Sequence, residues 1–277
     1  MTNADDAKEH LTVVRNFMDG KKEREIRRIT RDLSARLNPI MFTSALAATL
    51  PHVAKDEDAP THFVGLVFTQ ANVLTVASAG STMIVCKIPA RDGARVTGDV
   101  VADSVTVSPV MAKQLMGFTG LTPKEAWDPE LELTVTGTGP DKVTIRATDR
   151  TGLFEGKSLR LPVSEPGTDL ARAVHVLESM AGQQPRSVRT TSVPAGMLKT
   201  FIASAEKFGG DVEVEAISDT LWRISSGTAF YGLAARPVEA AETDEKKLAT
   251  NDARRKDRDQ WSLDLTGVGQ ELVRGLQ

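Results

Sequence analysis

The chain has 277 residues, 40% of them apolar, with a formal net charge of −3, enough for one large or two ordinary globular cores and too acidic to coat nucleic acid by bulk charge. Its single cysteine, Cys86, excludes an internal disulfide framework and a multi-cysteine metal site. No apolar run approaches the roughly 18 residues of a membrane helix and no apolar leader core opens the chain, so a soluble cytoplasmic protein with no membrane partner is expected.

Residues 1–38 read as an N-terminal helical segment. Leu11, Val14, Phe17 and Met18 fall at helical spacing. Lys21 to Arg36 then continues as a basic amphipathic helix with Ile26, Ile29, Leu33 and Leu37 on one side, and Pro39 stops it. Two compatible readings stand: a solvated helix packed by its apolar stripe, since Glu23, Glu25 and Asp32 offset its charge, and a phosphate-contacting helix using Lys21, Lys22, Arg24, Arg27, Arg28 and Arg31.

From Pro39 onward one arrangement recurs. Phe42 to Ala54 begins as a helix, and Phe63–Phe68, Val73–Ala77 and Thr82–Pro89 alternate as strands. Cys86 lies in that apolar pattern and reads as a buried small hydrophobe. Val107 to Phe118 is again a β-type residue, a proline suited to a first helical turn, and an apolar helix. The strands Leu131–Gly137, Lys142–Ala147 and Ser158–Pro162 follow it. Residues 164–187 form a connector with its own helix, in which Leu170, Val174, Leu177 and Met180 make one stripe behind a Thr168 or Asp169 cap. Val193 to Ser204 repeats the helix, aligning Met197 and Lys199 with Met111 and Lys113, and Asp211–Ala216, Leu221–Ser225 and Phe230–Pro237 follow as strands. Three β-α-β-β-β units are therefore expected, over roughly 39–100, 103–163 and 188–238, each ending in an apolar residue and a proline. Residues 239–277 are a charged linker, a Trp261-Ser-Leu-Asp-Leu strand pattern and a short terminal helix.

No catalytic constellation emerges. His10, His52, His62 and His175 lack any paired-ligand spacing and read as exposed or partly buried side chains. Gly137-Thr-Gly-Pro140, Ser78-Ala-Gly-Ser81 and Asp149-Arg-Thr-Gly152 sit where hairpins reverse, so none is a phosphate cradle or an acid/base pair. An enzyme with loop-borne residues is the weakest reading, and neither a cofactor nor a metal is expected. The repeated helices do share lysines: Lys113 and Lys199 align, Lys207 ends the third helix and Lys55 follows the first. Such a row either neutralises phosphates without reading bases or is ordinary solvated charge.

Phe42 to Lys55 with Val64–Phe68 and Leu74–Ser78, Val107 to Leu115, and Leu159–Val163 together resemble the DNA sliding clamps, most nearly the bacterial polymerase III β-subunit type. The likeness covers about residues 39–238 and lies in order and repetition. It implies an α+β fold of clamp-like repeats with helices on one face of antiparallel sheets: a two-unit domain over 39–163 and a third unit over 188–238. It implies no enzymatic activity, a homo-oligomeric ring around double-stranded DNA, and Lys55, Lys113, Lys199 and Lys207 facing that DNA. DNA polymerase or clamp-loader peptides would dock in a shallow apolar pocket near the connector. The family's rings hold six two-unit domains, whereas this chain offers three units. A trimer with a disguised fourth unit and a tetramer both remain open, as does a clamp-fold interaction module that does not encircle DNA. The short, divergent form points to a phage or mobile-element source.

Overall fold

The computed structural model describes residues 30–96, 102–119, 128–138, 142–151, 156–164, 167–181, 183–185, 193–218 and 220–236. All but Arg236 fall in one compact unit ending at Ala235.

The first element corrects the helix expected through Arg36. Thr30–Leu37 is a strand, β1. Leu33 and Leu37, four apart, satisfy a helical period and an alternating one equally well. Ala35 between them decides the matter: Leu33, Ala35 and Leu37 are all buried while Arg36 is exposed, which is the two-residue period of a half-buried strand. β1 pairs antiparallel with a distant strand, Leu131–Thr138 (β6), from Thr30↔Thr138 to Leu37↔Leu131.

Asn38 then starts helix α1, Pro39–Thr49, its side chain accepting from the amides of Ile40 and Met41 at 2.9 and 3.2 Å. A 3-10 turn, Leu50–His52, follows. β2 (Val64–Thr69), β3 (Asn72–Ala79) and β4 (Thr82–Pro89) form a meander. The second unit repeats this order with β5 (Ala102–Val107), α2 (Pro109–Thr119), β6, β7 (Thr144–Asp149) and β8 (Ser158–Pro162). Ser108 stands where Asn38 stood and accepts from the Met111 amide at 3.3 Å. The units exchange their opening strands, because β1 pairs with β6 of the second unit and β5 pairs with β2 of the first. One interleaved domain results.

After the connector helix α3 (Thr168–Ala181), the third unit supplies α4 (Ala195–Ala205), β9 (Glu213–Ala216), β10 (Leu221–Ser226) and β11 (Phe230–Ala235). β11 joins the outer edge of β4, from Phe230↔Cys86 to Ala234↔Thr82. The sheets are thus β1-β6-β7-β8 and the continuous β5-β2-β3-β4-β11-β10-β9.

Alternation along the strands builds two cores on opposite faces of the larger sheet. Leu66, Phe68, Ile84, Cys86 and Ile88 point inward beneath α1, α2 and α4. Val67, Val76 and Leu233 point outward, where α3 covers them with Leu170, Ala173 and Leu177. Each such fully buried aliphatic side chain stabilises the fold by about 1.5 to 3 kcal/mol. Gly65 on β2 is what admits α3, since a Cβ there would run into Leu170. The other end of α3 is held by Arg223 of β10, which donates to the carbonyls of Ala181 and Gln183 at 3.1 and 2.9 Å and pairs with Glu215 at 2.5 Å. A cation at a helix C-terminus satisfies orphan carbonyls and opposes the negative end of the helix dipole.

Candidate nucleic-acid interface

The three repeat helices form one layer over the inner core of the larger sheet. α1, α2 and α4 are each 11 residues long and are entered from Asn38, Ser108 and Pro194, so their residues can be numbered alike from the first helical position. The seventh positions, Ala45, Leu115 and Phe201, are all fully buried, which fixes the inward face of each helix. The fifth positions are Thr43, Lys113 and Lys199. α1 packs against both α2 and α4.

Lys113 and Lys199 are exposed at these matching positions. Lys207 is exposed too, in the turn after α4 beside the exposed Glu206. Lys55 is placed differently from its expected partners: it lies in the loop beyond the 3-10 turn, followed at once by exposed Asp56, Glu57 and Asp58. It is not the counterpart of the other lysines, because the equivalent position on the first helix holds Thr43. Of the N-terminal cations, Lys21, Lys22, Arg24, Arg27 and Arg28 lie outside the described residues. Arg31 stands on β1 opposite Gly137, with its side chain outside them.

The exposed face of this layer is lightly charged. α1 carries no ionisable side chain at all. The large apolar side chains most open to solvent among the described residues also lie here: Ile40 and Met41 on α1, Val110 on α2 and Ile202 on α4.

Behind this face lies the seam between the first and third units. His52 is fully buried there, contrary to the exposed or half-buried histidine expected from sequence. Its ring sits 4.5 Å from that of Phe201 and its Nε2 is 3.2 Å from Ser204 Oγ. That hydroxyl sends its own proton to the Ala48 carbonyl, 2.7 Å away. It therefore accepts from Nε2–H, which leaves Nδ1 a bare acceptor with no partner among the described residues. Burial pushes the imidazole down to about 4, so this histidine is neutral and structural. The periodicity of the helix ends before His52, and nothing local in the sequence marks it as buried.

No other chemistry gathers among the described residues. His62 Nδ1 lies 2.7 Å from the Ala54 carbonyl and His175 is exposed on α3. Asp149 accepts from the Thr151 amide at 2.9 Å, as a hairpin aspartate does. Cys86 is buried against Thr49 and its thiol is pushed up to about 11 by burial. No cluster of metal-ligating side chains occurs among the described residues, and none of their helices is long and apolar enough to cross a membrane.

Two further surfaces bear on association. Beside α3, on the outer face, an open groove of about 300 Å³ is lined by Val67, Ser104, Leu170, Val174, His175 and Glu178. At the sheet edges, β8 and β9 have no outer partner strand among the described residues. The bonds Val163 N→Val143 O and Asp149 N→Lys157 O turn the odd-numbered residues of β8 toward β7. Ser158 and Arg160 therefore aim their N–H groups outward, and Pro162 has none to aim. A charged residue and a proline on an edge strand discourage pairing.

No protein-family model matches the chain, and no curated protein sequence matches it. Solved structures do match. A putative DNA polymerase III beta subunit from Eubacterium rectale has a TM-score of 0.50 at 8% identity, over 76% of this chain and 67% of that one. The DNA polymerase III beta chain of Streptococcus pneumoniae has a TM-score of 0.48 at 14% identity, over 79% and 67%. A DnaN sliding clamp from Bartonella birtlesii has 0.46 at 14%, over 78% and 68%. The chain has the sliding-clamp fold, in divergent form.

Proposed function

We propose that this protein is a non-enzymatic, clamp-like tether that holds replication proteins on duplex DNA, with its helical layer toward the nucleic acid. The observation that carries this reading is the exposed lysine at the same position of α2 and α4, in a fold shared with a putative DNA polymerase III beta subunit. Lys113, Lys199 and Lys207 make screened phosphate contacts, the N-terminal cations add to them, and Lys55 contributes least because of its acidic neighbours. Retention depends on a ring of identical chains, a trimer or a tetramer, while the open groove beside α3 takes polymerase or clamp-loader peptides. Use in the cytoplasm, by a phage or mobile element, fits the divergent sequence.

The test is a salt series on a labelled duplex with Lys113→Glu/Lys199→Glu. Each lost phosphate contact removes about 0.9 from the slope of log affinity against log salt, so the double variant is expected to be flatter by roughly 1.8. An unchanged slope, with the variant folded, would remove the helical layer from the DNA contact.

A second reading rests on the same face: Ile40, Met41, Val110 and Ile202 gain nothing from phosphates, and α1 offers no cation. It makes the protein a clamp-fold interaction module that does not encircle DNA. Light scattering over a concentration series separates the two. A trimer or tetramer supports the ring, and a monomer that persists at high concentration supports the module.

A further inference from the structure

The equivalence of the three helices isolates one residue on which the strength of DNA contact turns. At the fifth position α2 and α4 carry exposed lysines, and α1 carries Thr43. Thr43 is half-buried because it has another partner. Its hydroxyl lies 2.8 Å from the Pro39 carbonyl, to which it donates, and 2.6 Å from the Thr119 hydroxyl at the end of α2. Thr119 in turn lies 3.0 Å from the carbonyls of Leu115 and Met116. The position that bears a charge on the other helices is spent here on a helix-to-helix hydrogen bond. The rest of α1 brings no charge to replace it.

We infer that Thr43 is the affinity-setting residue of the helical layer: by holding a hydroxyl contact to Thr119 in place of a cation, it keeps α1 neutral beside the lysine-bearing helices and weakens their common grip on duplex DNA. The inference rests on the DNA reading above and names the position that tunes it. Thr43 is partly exposed, so a long cation at residue 43 can reach solvent by extending its aliphatic stem past the helix surface.

The experiment compares wild type, Thr43→Lys, Thr43→Val and Lys113→Glu/Lys199→Glu on a short labelled linear duplex between about 50 and about 200 mM salt. Thr43→Lys is expected to steepen the slope by about 0.9, which is roughly 3.5-fold more affinity lost across that range than in wild type. Thr43→Val removes the hydroxyl without adding charge and is expected to leave the slope unchanged, so a merely structural role for Thr43 would not imitate the result. If the double lysine variant flattens the slope while Thr43→Lys fails to steepen it, the inference about Thr43 is overturned and the DNA reading stands. If wild type shows no salt-dependent association and Thr43→Lys gains none, both fall.

Discussion

Acid should loosen this protein at one identifiable place. His52 is neutral in the fold with its pKa pushed from 6.5 to about 4 by burial, whereas the unfolded chain takes up the proton near the ordinary value. A depressed histidine contributes stability that is complete above the unfolded pKa and declines as pH falls from about 6.5 toward about 4, because only the unfolded state binds the proton in that window. At about 1.4 kcal/mol per pH unit of separation, the loss approaches roughly 3 kcal/mol below pH 4 and is about 2 kcal/mol at pH 5. Other groups titrate over the same range, so the measurement is a difference. Urea denaturation of wild type and His52→Gln is followed at pH 8 and pH 5; the glutamine keeps a donor for Ser204 and cannot titrate. The variant is expected to start less stable and to lose about 2 kcal/mol less than wild type on acidification. Equal losses in the two proteins would show that His52 is not a neutral, desolvated histidine at the seam.

Two mutations examine how the third unit and the connector are held. Phe201→Ala removes a fully buried ring that packs on His52 and stacks with Phe230 at 6.2 Å, and it is expected to cost about 3 to 5 kcal/mol in urea denaturation; a loss under about 1 kcal/mol would mean the seam is not packed around this ring. Gly65→Val drives β2 into Leu170 and is expected to cost about 1 to 3 kcal/mol, with hydrogen exchange speeding up across Thr168–Ala181. Unchanged protection of that helix would place α3 elsewhere.

Much of the fold is legible in the sequence because its signals are local. The meander strands alternate, prolines open α1 and α2, and Leu170 and Leu177 stand on the stripe that buries α3. What escapes is partner choice. Nothing near Thr30 states that it will lie beside Thr138, and a helical period misreads β1 because Leu33 and Leu37 fit both patterns. The same limit applies to the candidate interface. Lys113 and Lys199 align by sequence and Lys55 only follows the first helix, whereas the residue at their position on that helix, Thr43, is a different type and so invisible to any search for repeated charge. Arg223 closing the end of α3 has no periodic signature either, since donor and acceptors are some 40 residues apart.

The way the units join bears on how copies would meet. In the first two units each meander's leading strand is covered by the opening strand of the other unit, β2 by β5 and β6 by β1. The third unit's leading strand, β9, has no such cover among the described residues, and its closing strand, β11, is already spent on β4 of the same chain. β8 occupies in the second unit the place that β4 holds in the first, yet it presents Arg160 and Pro162 where β4 accepts a neighbour. β1 and β5 are edges as well, each touched on its outer side, among the described residues, only by an isolated bridge, Ser34↔Arg95 and Thr106↔Ser164. Of the two edges left by β8 and β9, a ring built by strand pairing would use β9 without opposition and would meet at β8 residues that oppose pairing. That requirement makes solution mass a sharper discriminator than DNA affinity: Lys113 and Lys199 would attract phosphate in a monomer as well as in a ring, whereas only an assembly that has solved the edge problem can hold DNA by closure.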